Sequence, residues 1–532
     1  MATADVKLLE RAFSAAKTDA DFAVALTDLS SVWPQLVSSN GLVVRQLLNL
    51  APAALWHSDP WLVTCYAASF RSVGSVSRSA ALPYFDAALA LLEPSTPAIT
   101  RATHHVHHAA ALRSLGHLDD ALACIRIASS IVESSDAIPL AKRIPLTAEI
   151  ALHRGAIFLH GGDFDRAKTD FRLAGSLAES NLSVADQLEV FGGLALIQFL
   201  LGDFEHALTY VSRAESTGAS PALRNSRFNA PALLTELLIT VNQRGAGAAD
   251  EVAARARISI VESDWEPLGL YSQAFIQLFS GNPHEGLDLL RSALNALDGW
   301  QPSSFVSTEI AGLRAAAFLQ LGDAGAAWDV LAQLTPTQHH TVCPSRLVAH
   351  LRLVTGDLRG TLDALRDCEA IGDAHSSRTL ADVFLLKAAA HLRLGNDETS
   401  DVAFDRSLRL SARNRMHSPL RLVPSEDVQS MLTRASARSQ PLEVGALITR
   451  LDGLTVILQP QDSLALSDRE RAIARELVRG SSSAQIAESL YISVNTVKSH
   501  LKSIYRKLGV TSRVEAIHKS RELGLQVEIT RD

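Results

Sequence analysis

The chain has 532 residues, a net charge of −7 and a mean hydropathy of +0.11, which is long for a single domain and too acidic for a surface that binds nucleic acid all over. It contains no run of 18 apolar residues, so no membrane span is expected. It also lacks a basic segment followed by an apolar stretch at its start, so no signal peptide is expected and a cytoplasmic location follows.

Residues 1–415 are rich in alanine and leucine and poor in strand-like alternation. A phrase recurs, most clearly as LHGGDFDRAKTDFRLA at 159–174 and FLLGDFEHALTYVSRA at 199–214. Its glycines fall at 74, 116, 162, 202, 245, 281, 322, 356 and 395, spaced 34 to 46 apart. Each glycine supplies a positive-φ helix end, and the Asp or Asn that often follows starts the next helix. One such hairpin cannot bury its own apolar face, so stacking is required. This body resembles a tetratricopeptide-like α-solenoid, with a longer and less regular period. A right-handed superhelix whose surface binds a small-molecule or protein effector is the expectation.

Two clusters invite a metal reading. THHVHH puts His104 and His108 four apart with His105 beside them, but no local carboxylate or Cys completes a set. His339, His340 and Cys343 share a Pro-flanked loop, and the four cysteines (65, 124, 343 and 368) form no CxxC pair. They read as small buried apolar residues in a reducing compartment. No metal and no cofactor is expected. The chain has no GxxxxGK[ST], no G-x-S-x-G and no HExxH, so neither an ATPase nor another enzyme is expected.

Residues 416–463 form a junction. GALITRLDGLTVILQP at 445–460 alternates around Asp452-Gly453, which predicts a short β-hairpin, and 460–463 read as a linker.

Residues 464–532 carry the densest signals. Capping boxes pair Ser467 with Glu470, Ser482 with Gln485 and Ser512 with Glu515, while Ser493 caps a further helix alone. Four short helices are predicted, the second and third making a helix-turn-helix. From Val494 to Leu508, Val497, Leu501, Ile504 and Leu508 define a buried face. Asn495, Lys498, Ser499, Lys502, Arg506 and Lys507 lie elsewhere on that helix, with no acid among them. Residues 464–523 sum to +5, leaving −12 for the rest, so contact with double-stranded DNA is confined to this tail. Lys498, Ser499 and Lys502 are assigned to base edges, where a good contact discriminates by ~1–3 kcal/mol. Ser483, Thr496, Arg506 and Lys507 are assigned to phosphates.

The run Leu466, Ser467, Arg469, Glu470, Gly480, Ile486, Ala487, Leu490, Ser493, Thr496, Val497, Lys498, His500, Leu501, Ile504, Lys507, Leu508, Gly509, Val510, Arg513 and Ala516 resembles the LuxR-type helix-turn-helix domain of bacterial regulators. The family's usual Asn and Glu are Ser483 and Gln485 here. The resemblance implies a homodimer on inverted-repeat promoter sites, pairing through a last helix at about Thr511 to Leu523, and contact with RNA polymerase during activation. The whole chain resembles the MalT-like group of regulators without their ATPase. The expected fold is all-α: a solenoid at 1–415, a junction at 416–463 and a helix-turn-helix domain at 464–532. The expected function is transcription regulation, against the alternative of an interaction scaffold with a vestigial tail.

Overall fold

The repeated glycines set the architecture. Gly116, Gly162, Gly202, Gly245, Gly281, Gly322, Gly356 and Gly395 all have φ between +76° and +98°, a region costly for residues with a Cβ. Four of the following aspartates (Asp163, Asp203, Asp323 and Asp357) accept the backbone N–H of the third residue of the next helix. A computed structural model describes residues 2–71, 78–260, 263–298, 305–417, 420, 422–452, 466, 468–508 and 510–522.

Helices α1 (Ala2–Ala15), α2 (Asp19–Leu50), α3 (Pro60–Ala68) and α4 (Leu82–Ala90) open the chain. Helical hairpins follow: α5 (Ala98–Ser114) with α6 (Leu118–Ser134), α7 (Leu140–His160) with α8 (Phe164–Asn181), and α9 (Val184–Leu201) with α10 (Phe204–Glu215). After the short α11 (Pro221–Arg224) come α12 (Ala230–Arg244) with α13 (Asp250–Ile260), and α14 (Glu266–Phe279) with α15 (Pro283–Asn295). Next are α16 (Phe305–Leu321) with α17 (Ala324–Leu331), α18 (Pro344–Thr355) with α19 (Leu358–Ile371), and α20 (Ser377–Arg393) with α21 (Asp397–Asn414). Consecutive helices pack on one another, so each hairpin covers its neighbour's apolar face. Phe171 illustrates the fit. Its ring lies against Gly155 of α7, and a Cβ on Gly193 of α9 would stand 2.6 Å from it.

The helix α9 has the length and composition of a membrane span, with mean hydropathy 1.5, but 83% of it is buried among its neighbours. It is a core helix. A buried charge network crosses the same region. Arg71 meets Asp186 at 2.9 Å and Glu189 at 2.5 Å, while Arg113 meets Glu189 at 2.6 Å and Asp264 at 2.8 Å. Ser38 of α2 also donates to Asp186, so the N-terminal helices are tied to the middle repeats.

The junction is helical, not stranded, where it is described. Helices α22 (Ser425–Ser436) and α23 (Leu442–Asp452) continue the stack onto α21. The first arm of the expected β-hairpin therefore belongs to α23, because Val444, Leu447, Ile448 and Leu451 recur at helical spacing and bury together. The second arm, 453–460, lies outside the described residues, as does the 460–463 linker. Arg434 reaches Asp397 and Asp401, and Arg438 reaches Asp401 and Asp405, stitching α22 to α21. No strand occurs among the described residues.

The histidines of THHVHH are not surface groups. His104 and His107 are buried, His104 bonds Thr64 at 3.1 Å, and His108 stacks on Phe85 at 4.9 Å between ring centres.

Candidate nucleic-acid interface

The C-terminal module comprises α24 (Asp468–Val478), α25 (Ser483–Ser489), α26 (Val494–Leu508) and α27 (Arg513–Glu522). Gly480, at φ +85°, ends α24 and turns the chain into α25. The Ser482 capping box is complete: the Gln485 N–H donates to the serine hydroxyl at 3.3 Å and the Ser482 N–H to Gln485 Oε1 at 2.7 Å. Ser512 accepts from the Glu515 N–H, while the Glu515 carboxylate reaches back to the Thr511 N–H. Ser467 and Gly509 lie outside the described residues.

The turn between α25 and α26 is tight. Tyr491 sits at φ +53°, and the Ile492 N–H donates to the Ala487 carbonyl at 2.9 Å. The Arg469 guanidinium donates to the Leu490 carbonyl and holds the turn from α24. Arg513 does the same for the α24–α25 corner through the Ser481 carbonyl. Ser493 accepts from the Thr496 N–H at 3.1 Å and starts α26.

On α26 the four expected residues, Val497, Leu501, Ile504 and Leu508, are buried. Asn495, Thr496, Lys498, Ser499, Lys502 and Arg506 are exposed with the whole chain present, and Ser483 is half-buried at the first turn of α25. The Thr496 hydroxyl also contacts Ser493 Oγ at 2.8 Å, so it is partly committed to the cap. Lys507 stands apart from the other cations. Its ammonium meets the buried Glu470 carboxylate at 2.7 Å, inside the module. Two features escaped the sequence reading. One is the strut role of Arg469, Glu470 and Arg513. The other is Tyr491, 96% exposed at the tip of the turn, whose signal was its place between Leu490 and Ser493.

The module's core runs on into the solenoid. Ile473, Leu477, Leu501 and Leu508 share one apolar cluster with Leu319, Leu331, Leu347 and Leu351 of α16, α17 and α18. A Cβ on Gly325 of α17 would stand 2.2 Å from the Leu508 carbonyl oxygen. The Arg471 guanidinium lies against Gly356, at the carbonyl end of α18, where a cation is favoured. Lys519 of α27 meets Asp329 of α17 at 2.7 Å. The body thus holds the far end of α26 and part of α27, and leaves the Lys498/Lys502 face open.

Residues 464–520 match the family of bacterial regulatory proteins described as luxR family. The chain is 33% identical over 112 residues to the transcriptional regulatory protein LnrK of Bacillus subtilis, covering 21% of this chain and 46% of that relative. It is 49% identical over 57 residues to a nitrate/nitrite response regulator protein homolog of Haemophilus influenzae, 11% of this chain and 26% of the relative. It is 34% identical over 95 residues to the probable transcriptional regulatory protein NarL of Mycobacterium tuberculosis, 18% and 42% of the two chains. The chain thus spans less than half the length of these curated relatives. With its turn, caps and basic helix in place, the module at residues 464–520 is a helix-turn-helix DNA-binding domain of the LuxR family.

Proposed function

We propose that the chain is a sequence-specific transcription regulator, acting in the cytoplasm, whose solenoid governs its C-terminal domain. The observation that carries this reading is the exposed, acid-free face of Asn495, Lys498, Ser499, Lys502 and Arg506 on a helix anchored by four buried apolar residues. Laid in a major groove, that face points Lys498, Ser499 and Lys502 at base edges. Thr496, Arg506, Ser483 and the exposed Tyr491 serve the flanking phosphates. Lys507 serves the domain's fold instead, through Glu470. The domain binds as a homodimer through α27, and the output is activation through RNA polymerase.

The solenoid acts as the sensor, because it grips the edge of the domain that dimerisation uses. An effector or protein partner that shifts α16–α18 changes the hold on Leu508 and Lys519. This reading is supported by the Gly325–Leu508 approach and the Asp329–Lys519 ion pair. The deciding experiment is genome-wide occupancy of the full chain, with the Lys498→Ala/Lys502→Ala double variant as control. Discrete peaks that share an inverted repeat and vanish in the variant are expected. Peaks unchanged by the variant would overturn the assigned reading face. Absence of peaks, with residues 460–532 alone also silent, would favour the scaffold reading.

A further inference from the structure

Four potential metal donors, dispersed in sequence, meet at one point of the solenoid. They come from the loop between α17 and α18 (His340), the N-cap of α18 (Cys343), α19 (Cys368) and the turn leading into α20 (His375). Their donor atoms all lie within 4.8 Å of one another. Both cysteines are fully buried, His375 is 4% exposed and His340 is half-buried. No other described group of His, Cys, Asp and Glu side chains gathers this way.

The surroundings orient these side chains as ligands. His375 Nδ1 lies 3.1 Å from the Ser376 carbonyl oxygen, to which it donates, and 3.3 Å from the Thr379 hydroxyl. That bond puts the proton on Nδ1 and a lone pair on Nε2, which is buried without a hydrogen-bond partner. His340 Nδ1 is likewise buried without a partner. Two ring nitrogens turned toward two thiols make a donor set suited to a borderline-soft cation. The Arg346 N–H donates to Cys343 Sγ at 3.4 Å, as backbone amides do to a thiolate.

The backbone is forced to present them. His339 and His340 are consecutive non-glycine residues at φ +56° and +50°, a conformation costing roughly 1–3 kcal/mol at each. The loop is held there from outside. The His339 ring bridges Asp165 at 3.0 Å and the Ala374 carbonyl at 2.9 Å, and the Thr379 hydroxyl donates to the His340 carbonyl at 2.7 Å.

Both cysteines are free in this structure. The sulfurs are 3.3 Å apart, against about 2.05 Å for a bond. A Cys₂His₂ set fits Zn²⁺, with Zn–S near 2.3 Å and Zn–N near 2.0–2.1 Å, which would place the sulfurs about 3.8 Å apart in a tetrahedron. Two thiolates neutralise the ion, so a buried Zn²⁺ site carries no net charge, and loading releases the two thiol protons.

We propose that His340, Cys343, Cys368 and His375 form a tetrahedral Zn²⁺ site that clamps the α17–α18 loop to α19 and α20. The clamp fixes the start of α18, whose Leu347 and Leu351 line the face that packs against the DNA-binding domain. This replaces the expectation of a metal-free chain. The missed signal was the pairing of H-x-x-C at 340–343 with C-x₆-H at 368–375, a spacing that differs from common zinc motifs.

The test uses the full chain, untagged and purified under reducing conditions. Elemental analysis should find about one zinc per chain, retained by Cys124→Ser and lost in Cys343→Ser, Cys368→Ser and His375→Gln. Chelated wild-type protein given Co²⁺ should show the strong visible bands of tetrahedral cobalt and a near-ultraviolet thiolate charge-transfer band. His375→Gln, which keeps both sulfurs, should shift that spectrum while remaining helical by circular dichroism. Wild-type protein that binds neither ion would overturn the site, as would a mass 2 Da lower from a Cys343–Cys368 disulfide in the reduced preparation.

Discussion

Lys498, Lys502 and Lys507 lie within ten residues on one helix, yet their surroundings assign them different work. The first two are exposed, so replacing both with alanine should leave the melting temperature within a degree or two. Specific DNA affinity should fall at least ~30-fold, taking ~1–3 kcal/mol for each of two base contacts. Fluorescence anisotropy on an operator fragment measures it. Lys507→Ala should do the reverse: it removes a charge-assisted hydrogen bond to the buried Glu470 carboxylate and should lower domain stability by ~1–3 kcal/mol, read by thermal melting. The sequence made the basic character of α26 plain because helical periodicity separates Val497, Leu501, Ile504 and Leu508 from the cations. It could not separate Lys507 from the others, since its partner stands on α24, 37 residues earlier. The Cys343–Cys368 meeting was hidden for the same reason. Cys343 at the start of α18 and Cys368 within α19 meet only once those two helices have packed together.

Among the elements, punctuation was the most readable feature. Glycine followed by Asp or Asn marked the hairpin corners because only positive φ and a capping side chain satisfy a helix end there. The α23 segment misled because its alternation and its i, i+3, i+4, i+7 pattern coexist over eight residues, and packing on α21 decided between them. Close approaches between elements were not legible at all, and they give the sharpest tests. Gly193→Ala should destabilise the solenoid by ~1–3 kcal/mol, since its methyl would meet the Phe171 ring at 2.6 Å; chemical denaturation measures the loss. Gly325→Ala directs a methyl at the Leu508 carbonyl oxygen, 2.2 Å away, and Asp329→Ala removes the ion pair between Asp329 and Lys519. Both should loosen the domain from the body without touching the DNA face. Faster amide exchange in α26 and α27, with tighter operator binding, is the expected result. Slower exchange or weaker binding would refute the idea that the body restrains the domain.

For the whole molecule, buried histidines set the response to acid. Burial pushes His104 and His107 down to about 3 and His160 to about 4, and neighbouring cations reinforce the shift for His107 and His160. His153 is driven the same way by burial and by Arg71 and Arg113. In the unfolded chain each titrates near 6.5, so between these values the unfolded state holds more protons. The stability tied to the neutral rings is therefore complete above about pH 6.5 and lost as the pH falls toward 3 to 4. Urea midpoints should drop steadily over that window; a midpoint unchanged between pH 7 and 4.5 would contradict it. The Arg113 guanidinium is as critical. Removing it with Arg113→Ala takes the shared cation from Glu189 and Asp264, leaving Arg71 beside the first and the more distant Arg227 beside the second, and should lower the urea-unfolding stability by about 3 kcal/mol.

The shared apolar cluster of α16–α18 and the C-terminal domain has a consequence for signalling. If the domain lifts away, Leu319, Leu331, Leu347 and Leu351 lose their cover, and a face of that kind does not stay in water without cost. A signal that frees the domain must therefore supply a replacement lining, either an apolar ligand or the same face of a second chain. Occupancy of that face and occupancy of the operator then become two readings of one equilibrium. Operator DNA should raise the affinity for the replacement by the same factor by which the replacement raises the affinity for DNA. Titrating a candidate effector with and without operator fragment measures that factor, and a factor of one would show that filling the face and releasing the domain are not coupled.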